Sequence, residues 1–337
     1  MNTKKTAFRS NCRMALAAVA FVTAGLGSAQ ATDYYLQTNH DSSHHWNRTN
    51  DSQGWFTATT GGTLLATMDP AGVYYSNGKA VRSRDTTGND TFEGDTLVLN
   101  GSGTSFILKI GANSTAAVNH LIVADAASVS AGNTSSLGQR LSVGTFDIDA
   151  NITFGVGTGG RGYRLNVDTL TGSQNLIFDK SAAITGHFMN FDIGNADAFS
   201  GGFFINSGTL LFTNDLNASS ASLNIATGSF VNLTHSISVF ALSVGGDTLA
   251  DGTYDFNYLS THYGSIFTAG DALNGRIVVG STIPEPAGMA LLTGGIALGM
   301  MGFARRPRSW GKASAHVVVT VNRLRAPMEQ ARTVSLG

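Results

Sequence analysis

The sequence predicts an all-β chain of short stacked coils, a β-solenoid, with a two-sheet β-sandwich as the alternative. Three observations lead there. Apolar residues recur in short β-branched and aromatic runs rather than at the 3.6-residue spacing of an amphipathic helix, and no stretch reads as a convincing helix. Gly, Asn, Asp, Ser and Thr separate the runs, and the 337 residues hold 41 Gly but only 5 Pro. Repeated N-x-G, S-G and N-G turns suit rungs that bury inward residues against their neighbours, with Asn or Gly at corners that need φ > 0. Strand spacing of roughly 8 to 20 residues fits either architecture, so the turn chemistry decides the preference.

Charge and cysteine content narrow the function. Charged residues make up 13 % of the chain and the formal net charge is -1. That total hides an asymmetry: residues 32–280 carry 10 Lys/Arg against 20 acids, while both ends are basic. An acidic body argues against nucleic acid, whose binding depends on neutralising phosphates with Lys and Arg. The single cysteine, Cys12, lies ahead of the body, which therefore has neither disulfides nor thiolate metal sites.

Residues 1–31 read as a secretory signal peptide. Lys4, Lys5, Arg9 and Arg13 form the positive start, residues 14–27 the apolar run, and Ala29 and Ala31 the small-x-small site of a signal peptidase. Cleavage is expected after Ala31. Cys12 precedes the apolar run, the wrong place for a lipoprotein cysteine.

Residues 32–92 concentrate His44, His45, Trp46, Trp55, Pro70, Tyr74 and Tyr75. This composition is expected to form an N-terminal cap that shields the first coil's open edge. Residues 93–280 are expected to form the coiled body. Its expected strands are 96–99, 106–110, 120–123, 141–148, 152–154, 165–167, 175–178, 202–206, 209–213, 222–226, 230–233 and 239–244. The expected inward residues are Leu97, Leu99, Phe106, Leu108, Leu121, Val123, Phe146, Ile148, Phe154, Leu165, Phe178, Leu210, Phe212, Ile225 and Val231. Residues 245–258 read as a hairpin-like closing element, and a strand at 275–279 follows it.

Residues 281–308 contain Pro284-Glu285-Pro286, an uncharged stretch at 287–304, and then Arg305, Arg306 and Arg308. About 18 helical residues just cross a bilayer core of ~30 Å, and the arginines would stay cytoplasmic with the acidic body outside. The order of these parts resembles the PEP-CTERM sorting signal of Gram-negative bacteria. That resemblance implies processing by an exosortase, transient or lasting anchoring in the inner membrane, and delivery to the cell surface or the exopolysaccharide matrix. Residues 309–337 form a basic tail that departs from the family pattern, in which the chain ends soon after the arginines.

Within the body, residues 198–215 resemble the autotransporter-associated β-strand repeat, through Gly201, Gly202, Gly208, Thr209 and Leu210. Weaker echoes stand at 94–101 and 228–233. The resemblance implies a right-handed parallel β-helix. No translocator barrel follows, so self-transport is not implied.

Candidate chemistry is sparse. His40, His44 and His45 with Asp41 could ligate a divalent metal, although a polar loop explains them as well. Gly155, Gly157 and Gly160 spell G-x-G-x-x-G, but Arg161 and a strand-like run follow where a nucleotide site needs a helix. Asp147 and Asp149, with Arg161, Arg164 and Asp168 downstream, could do acid/base work on a polysaccharide, although core-in, solvent-out alternation explains the acids equally. No cofactor is expected. The sequence therefore reads as an exported structural or adhesive protein that contacts exopolysaccharide through rows of Asn, Thr, Ser and Asp. A polysaccharide lyase or hydrolase on the same scaffold is the alternative.

Overall fold

The computed structural model describes residues 31–41, 44–49, 51–84, 87–131, 138–155, 162–179 and 188–280. They form a β-solenoid in which three parallel ladders carry the chain from rung to rung. Thr96 lies opposite His120, and His120 in turn opposite Thr145, so one rung separates each from the next. Later rungs are shorter, as the pairing of Thr209 with Phe230 shows.

Each ladder has an inward row. On the first face Ala116, Leu141, Leu165, Phe191 and Phe212 follow one another in register. On the second face the row is Leu97, Leu121, Phe146 and Leu170. On the third face it runs from Val81 through Phe106, Val129, Phe154, Phe178, Ile205 and Ile225 to Val244. All of these side chains are buried, as are all fifteen residues expected to point inward. A fully buried side chain of this size contributes about 1.5–3 kcal/mol over its exposed state, so the interior rows are the main stabilising term.

The chain turns from the first face to the second without leaving extended structure. Along Thr115–Val123 the alternation slips, with Val118 and Leu121 buried while Asn119 is exposed and His120 half-buried between them. A slip of one residue redirects the inward row, as expected when a strand bends around a corner. The expected strands at 202–206 and 209–213 are in fact one, Gly202–Phe212. It changes face at Gly208, whose φ of 88° is open to glycine and strained for other residues. Before the bend it pairs with residues of the third face, and after it with residues of the first. Asn77 and Asn113 also take positive φ, at 52° and 57°.

Corner side chains wire adjacent rungs together. Asn100 Oδ1 accepts from the Asn77 N–H at 2.8 Å, Asp125 Oδ2 from the Gly101 N–H at 2.7 Å, and Asn151 Oδ1 from the Asn175 N–H at 3.0 Å. These bonds satisfy backbone donors that the ladders leave open where the chain turns.

Both ends of the stack are covered. Parallel pairing reaches back beyond residue 93, because Val73–Tyr75 pairs with Thr96–Leu99 and Asp33–Leu36 pairs with Val73–Tyr75. Between those first strands, the described residues of 37–72 (37–41, 44–49 and 51–72) fold over the open end. Trp46 and Trp55 are fully buried there. The Trp55 indole N–H donates to the Trp46 carbonyl at 2.6 Å, its ring meets Tyr74 edge-on at 5.1 Å, and Trp46 stacks on Phe106 at 5.5 Å. The free edge of Ala80–Arg82 is occupied as well. The His40 N–H donates to the Ala80 carbonyl at 3.0 Å, the Trp46 N–H to the Arg82 carbonyl at 2.8 Å, and the Ala80 N–H to Asn39 Oδ1 at 2.9 Å.

At the other end, Asp247–Leu249 returns antiparallel on the third face, and Gly252–Asp255 antiparallel on the second face against Arg276–Val279. One helix, Phe256–His262, sits in this closing element, where sequence periodicity gave none. It is seven residues long and buries only Leu259, too little for a visible helical stripe. Its start is fixed by Asp255, whose carboxylate accepts from the Tyr258 N–H at 2.7 Å.

Candidate functional site

The first face carries the most distinctive surface. Its outward row runs Arg140, Arg164, Asn190, Leu211 and Asn232, each opposite the next in the ladder. The row beside it runs Ser142, Asn166 and Asp192. Two hollows open along them. One of about 200 Å³ is lined by Arg140, Arg164, Asn166, Asn190, Asp192 and Thr213. The other, of about 340 Å³, is lined by Arg164, Asn190, Thr209, Leu211 and Asn232. Arg164 and Asn190 belong to both, so the two form a groove that runs across the rungs.

The polar atoms of this groove are incompletely satisfied. Arg140 Nε, Arg164 Nε, Asn190 Oδ1 and Asn232 Oδ1 are buried without a hydrogen-bond partner. None of the ion pairs among the described residues involves either arginine. Parallel strands lie about 4.8 Å apart, so in-register arginines on adjacent rungs put two like charges side by side. Asn166 Nδ2 donates to Asp192 Oδ2 at 3.3 Å, which ties that carboxylate to its neighbouring rung.

A larger hollow of about 450 Å³ near the C-terminal end is lined by Asp215, Thr234, His235, Ser236, Asp271, Asn274 and Arg276. Its groups serve one another. Asp215 Oδ1 accepts from the Ser236 N–H at 2.8 Å, Arg276 Nε donates to Ser236 Oγ at 3.2 Å, and Asp271 accepts from the Leu273 N–H at 2.8 Å and from Asn274 Nδ2 at 2.8 Å. This is internal wiring of the last turn.

The sequence-predicted candidates are dispersed. Ala29, Pro284, Glu285, Pro286, Arg305, Arg306 and Arg308 lie outside the described residues, as do Gly157, Gly160 and Arg161. Ala31 is exposed, two residues ahead of Asp33–Leu36. Gly155 is buried at the end of a third-face strand, its N–H donating to the Val129 carbonyl at 3.0 Å. Asp147 is an outward residue of the second face that accepts from Thr171 Oγ1 at 3.0 Å. Asp149 does not share its strand, which ends at Ile148, and Arg164 stands on the first face. Asp147, Asp149 and Arg164 are therefore not brought to one cleft.

The histidines separate too. His44 lies between Asp41, at 2.6 Å, and Asp51, at 3.3 Å. His40 turns into the cap, where its ring meets Trp55 edge-on at 5.9 Å and its Nδ1 accepts from the Arg82 N–H at 3.3 Å. Among the described residues no three His, Cys, Asp or Glu side chains converge as a metal site.

Burial pulls the His40 pKa down to about 3. A backbone hydrogen bond at Gln53 partly opposes this, while the charges of His45 and His44 add to it. The folded-state value lies below the unfolded one of about 6.5, so the unfolded chain takes up a proton that the folded chain refuses. Stability contributed at neutral pH is therefore expected to fall as pH drops from about 6.5 toward 3. Between pH 6.5 and 4.5, wild type is expected to lose about 2–3 kcal/mol more than His40→Gln in denaturant unfolding. Parallel pH profiles for the two proteins would refute this.

Sequence reasoning missed Asn190, Asp192, Arg140 and Asn232 as site residues. A signal was present: Arg140-Leu141-Ser142-Val143 and Arg164-Leu165-Asn166-Val167 are near-copies, and the ladder sets them opposite each other on adjacent rungs. Comparison with protein-family models, with curated proteins and with solved structures finds no match for this chain.

Proposed function

We propose that this is an exported structural or adhesive protein of the cell surface or extracellular matrix, a right-handed solenoid delivered by its two terminal signals and facing exopolysaccharide. The observation that carries this reading is a parallel β-solenoid built from an acidic, thiol-free body that lies between the two expected terminal signals. Among the described residues, the carbonyl of Thr32, directly past the expected signal-peptidase cut, accepts from the Val73 N–H at 2.9 Å. At the other end the Gly280 N–H donates to the Val239 carbonyl at 3.1 Å, four residues ahead of Pro284.

Other features support it. The body lacks thiols and is acidic, so an oxidising exterior poses no redox hazard and no nucleic-acid partner is called for. Right-handed winding follows from the strong preference of parallel crossovers for that hand and from the autotransporter-associated repeat pattern at 198–215. Among the described residues no helix is long and apolar enough to cross a membrane, and residues 287–304, the expected span, lie outside them.

The test is mass spectrometry of the native protein. Termini at Thr32 and next to Pro284-Glu285-Pro286, in the surface or matrix fraction, are the expected result. A soluble cytosolic polypeptide that keeps both Met1 and Gly337 would overturn the proposal.

A further inference from the structure

We infer that the first-face groove binds an acidic glycan, with a sugar carboxylate held by Arg140 and Arg164 and the adjoining sugar ring laid along Leu211 between Asn190 and Asn232. This deepens the exopolysaccharide reading and rests on it for the choice of a sugar.

The two arginines point to an anion. They stand in register on adjacent rungs, and among the described residues no carboxylate pairs with either. Such a pair repels itself unless an anion lies between, and guanidinium is the side chain best shaped to grip a carboxylate with two parallel hydrogen bonds. The surrounding body is acidic, so these cations are not part of a general basic surface.

A row of unmet polar atoms extends the requirement along the groove. Nε of both arginines and Oδ1 of Asn190 and Asn232 are buried and unpartnered, although buried polar groups in folded proteins nearly always find partners. Donors stand at one end of the groove and amide oxygens at the other. A ligand that is anionic at one point and rich in hydroxyls further along satisfies both.

Asp192 narrows the kind of anion. It lines the same hollow as the arginines, and its negative charge disfavours a doubly charged phosphate more than a singly charged carboxylate. The hollow that continues past Arg164 contains Leu211 and Thr209, an apolar contact for the carbon face of a sugar ring and more room than an isolated ion needs.

The experiment uses the full chain purified in detergent and titrated calorimetrically with an oligogalacturonate. A neutral galactan oligosaccharide of equal length and inorganic phosphate are the comparison ligands. The acidic oligosaccharide is expected to bind, more weakly as salt is raised, and the other two are not. Arg140→Gln with Arg164→Gln is expected to weaken binding about tenfold or more, while Asp147→Asn on the second face leaves it unchanged. Should the double variant fail to fold, Arg164→Lys keeps the charge, loses the fork and is expected to weaken binding in its place. Undiminished binding by the folded variants, no binding by wild type, or equal binding of phosphate through the same arginines would overturn the inference. Because the titration uses purified protein, its outcome is independent of the termini that test export.

Discussion

Replacing Trp55 with Ala is expected to cost about 3–5 kcal/mol, the usual loss for emptying a buried Trp or Phe site. Three contributions combine. The indole is fully buried, its N–H holds the Trp46 carbonyl at 2.6 Å, and its ring packs edge-on against Tyr74. Trp46 in turn stacks on Phe106 and donates its backbone N–H to Arg82. Loosening the pair therefore uncovers the edge of Ala80–Arg82 as well as leaving a cavity. An uncovered parallel edge is a template for another chain, so the variant should also self-associate as concentration rises. Denaturant unfolding and light scattering together check this. A monomer within about 1 kcal/mol of wild type would show that the cap is dispensable.

Gly172→Ala is expected to lower stability by about 2–4 kcal/mol, of which backbone strain accounts for about 1–3. Gly172 has φ of 100°, and a β-carbon there would overlap the Ile148 carbonyl of the preceding rung. Gly228 is the natural control, with φ of 87° and no atom within 4 Å of an added β-carbon. Gly228→Ala should carry only the strain, so the difference between the two thermal unfolding midpoints reads out how closely the rungs approach. Equal losses would mean that close stacking at Gly172 does not matter.

Much of the fold could be read from the sequence because burial in a solenoid is written locally. Every inward residue needs only an apolar side chain at alternate positions, and the short runs around Leu97, Phe106, Leu121 and Phe154 supply it. Phe188–Asn195 escaped notice because Asn190 and Asp192 resemble turn punctuation, although they alternate with buried Met189, Phe191 and Ile193. The rung length escaped as well. Corners take up different numbers of residues, and Leu, Val, Ile and Phe exchange freely on the inward rows, so the repeat is plain only in the near-copies at Arg140 and Arg164.

The groove was harder to foresee for a related reason. Its members, Arg140, Arg164, Asn190, Leu211 and Asn232, come from successive rungs and lie at unequal intervals along the chain. Register, rather than any sequence motif, brings them into one line. The reading of Asp147 and Asp149 as a pair failed for the opposite reason. Nearness in sequence suggested a shared face, and the end of the strand at Ile148 removed it.

Thr32 and Gly280 belong to opposite extremes of the stack, joined through interfaces that each involve only adjacent rungs. A pull applied between these points must pass through every interface in turn. Adding rungs would then extend the reach of such a tether, while its breaking load would remain that of its weakest junction.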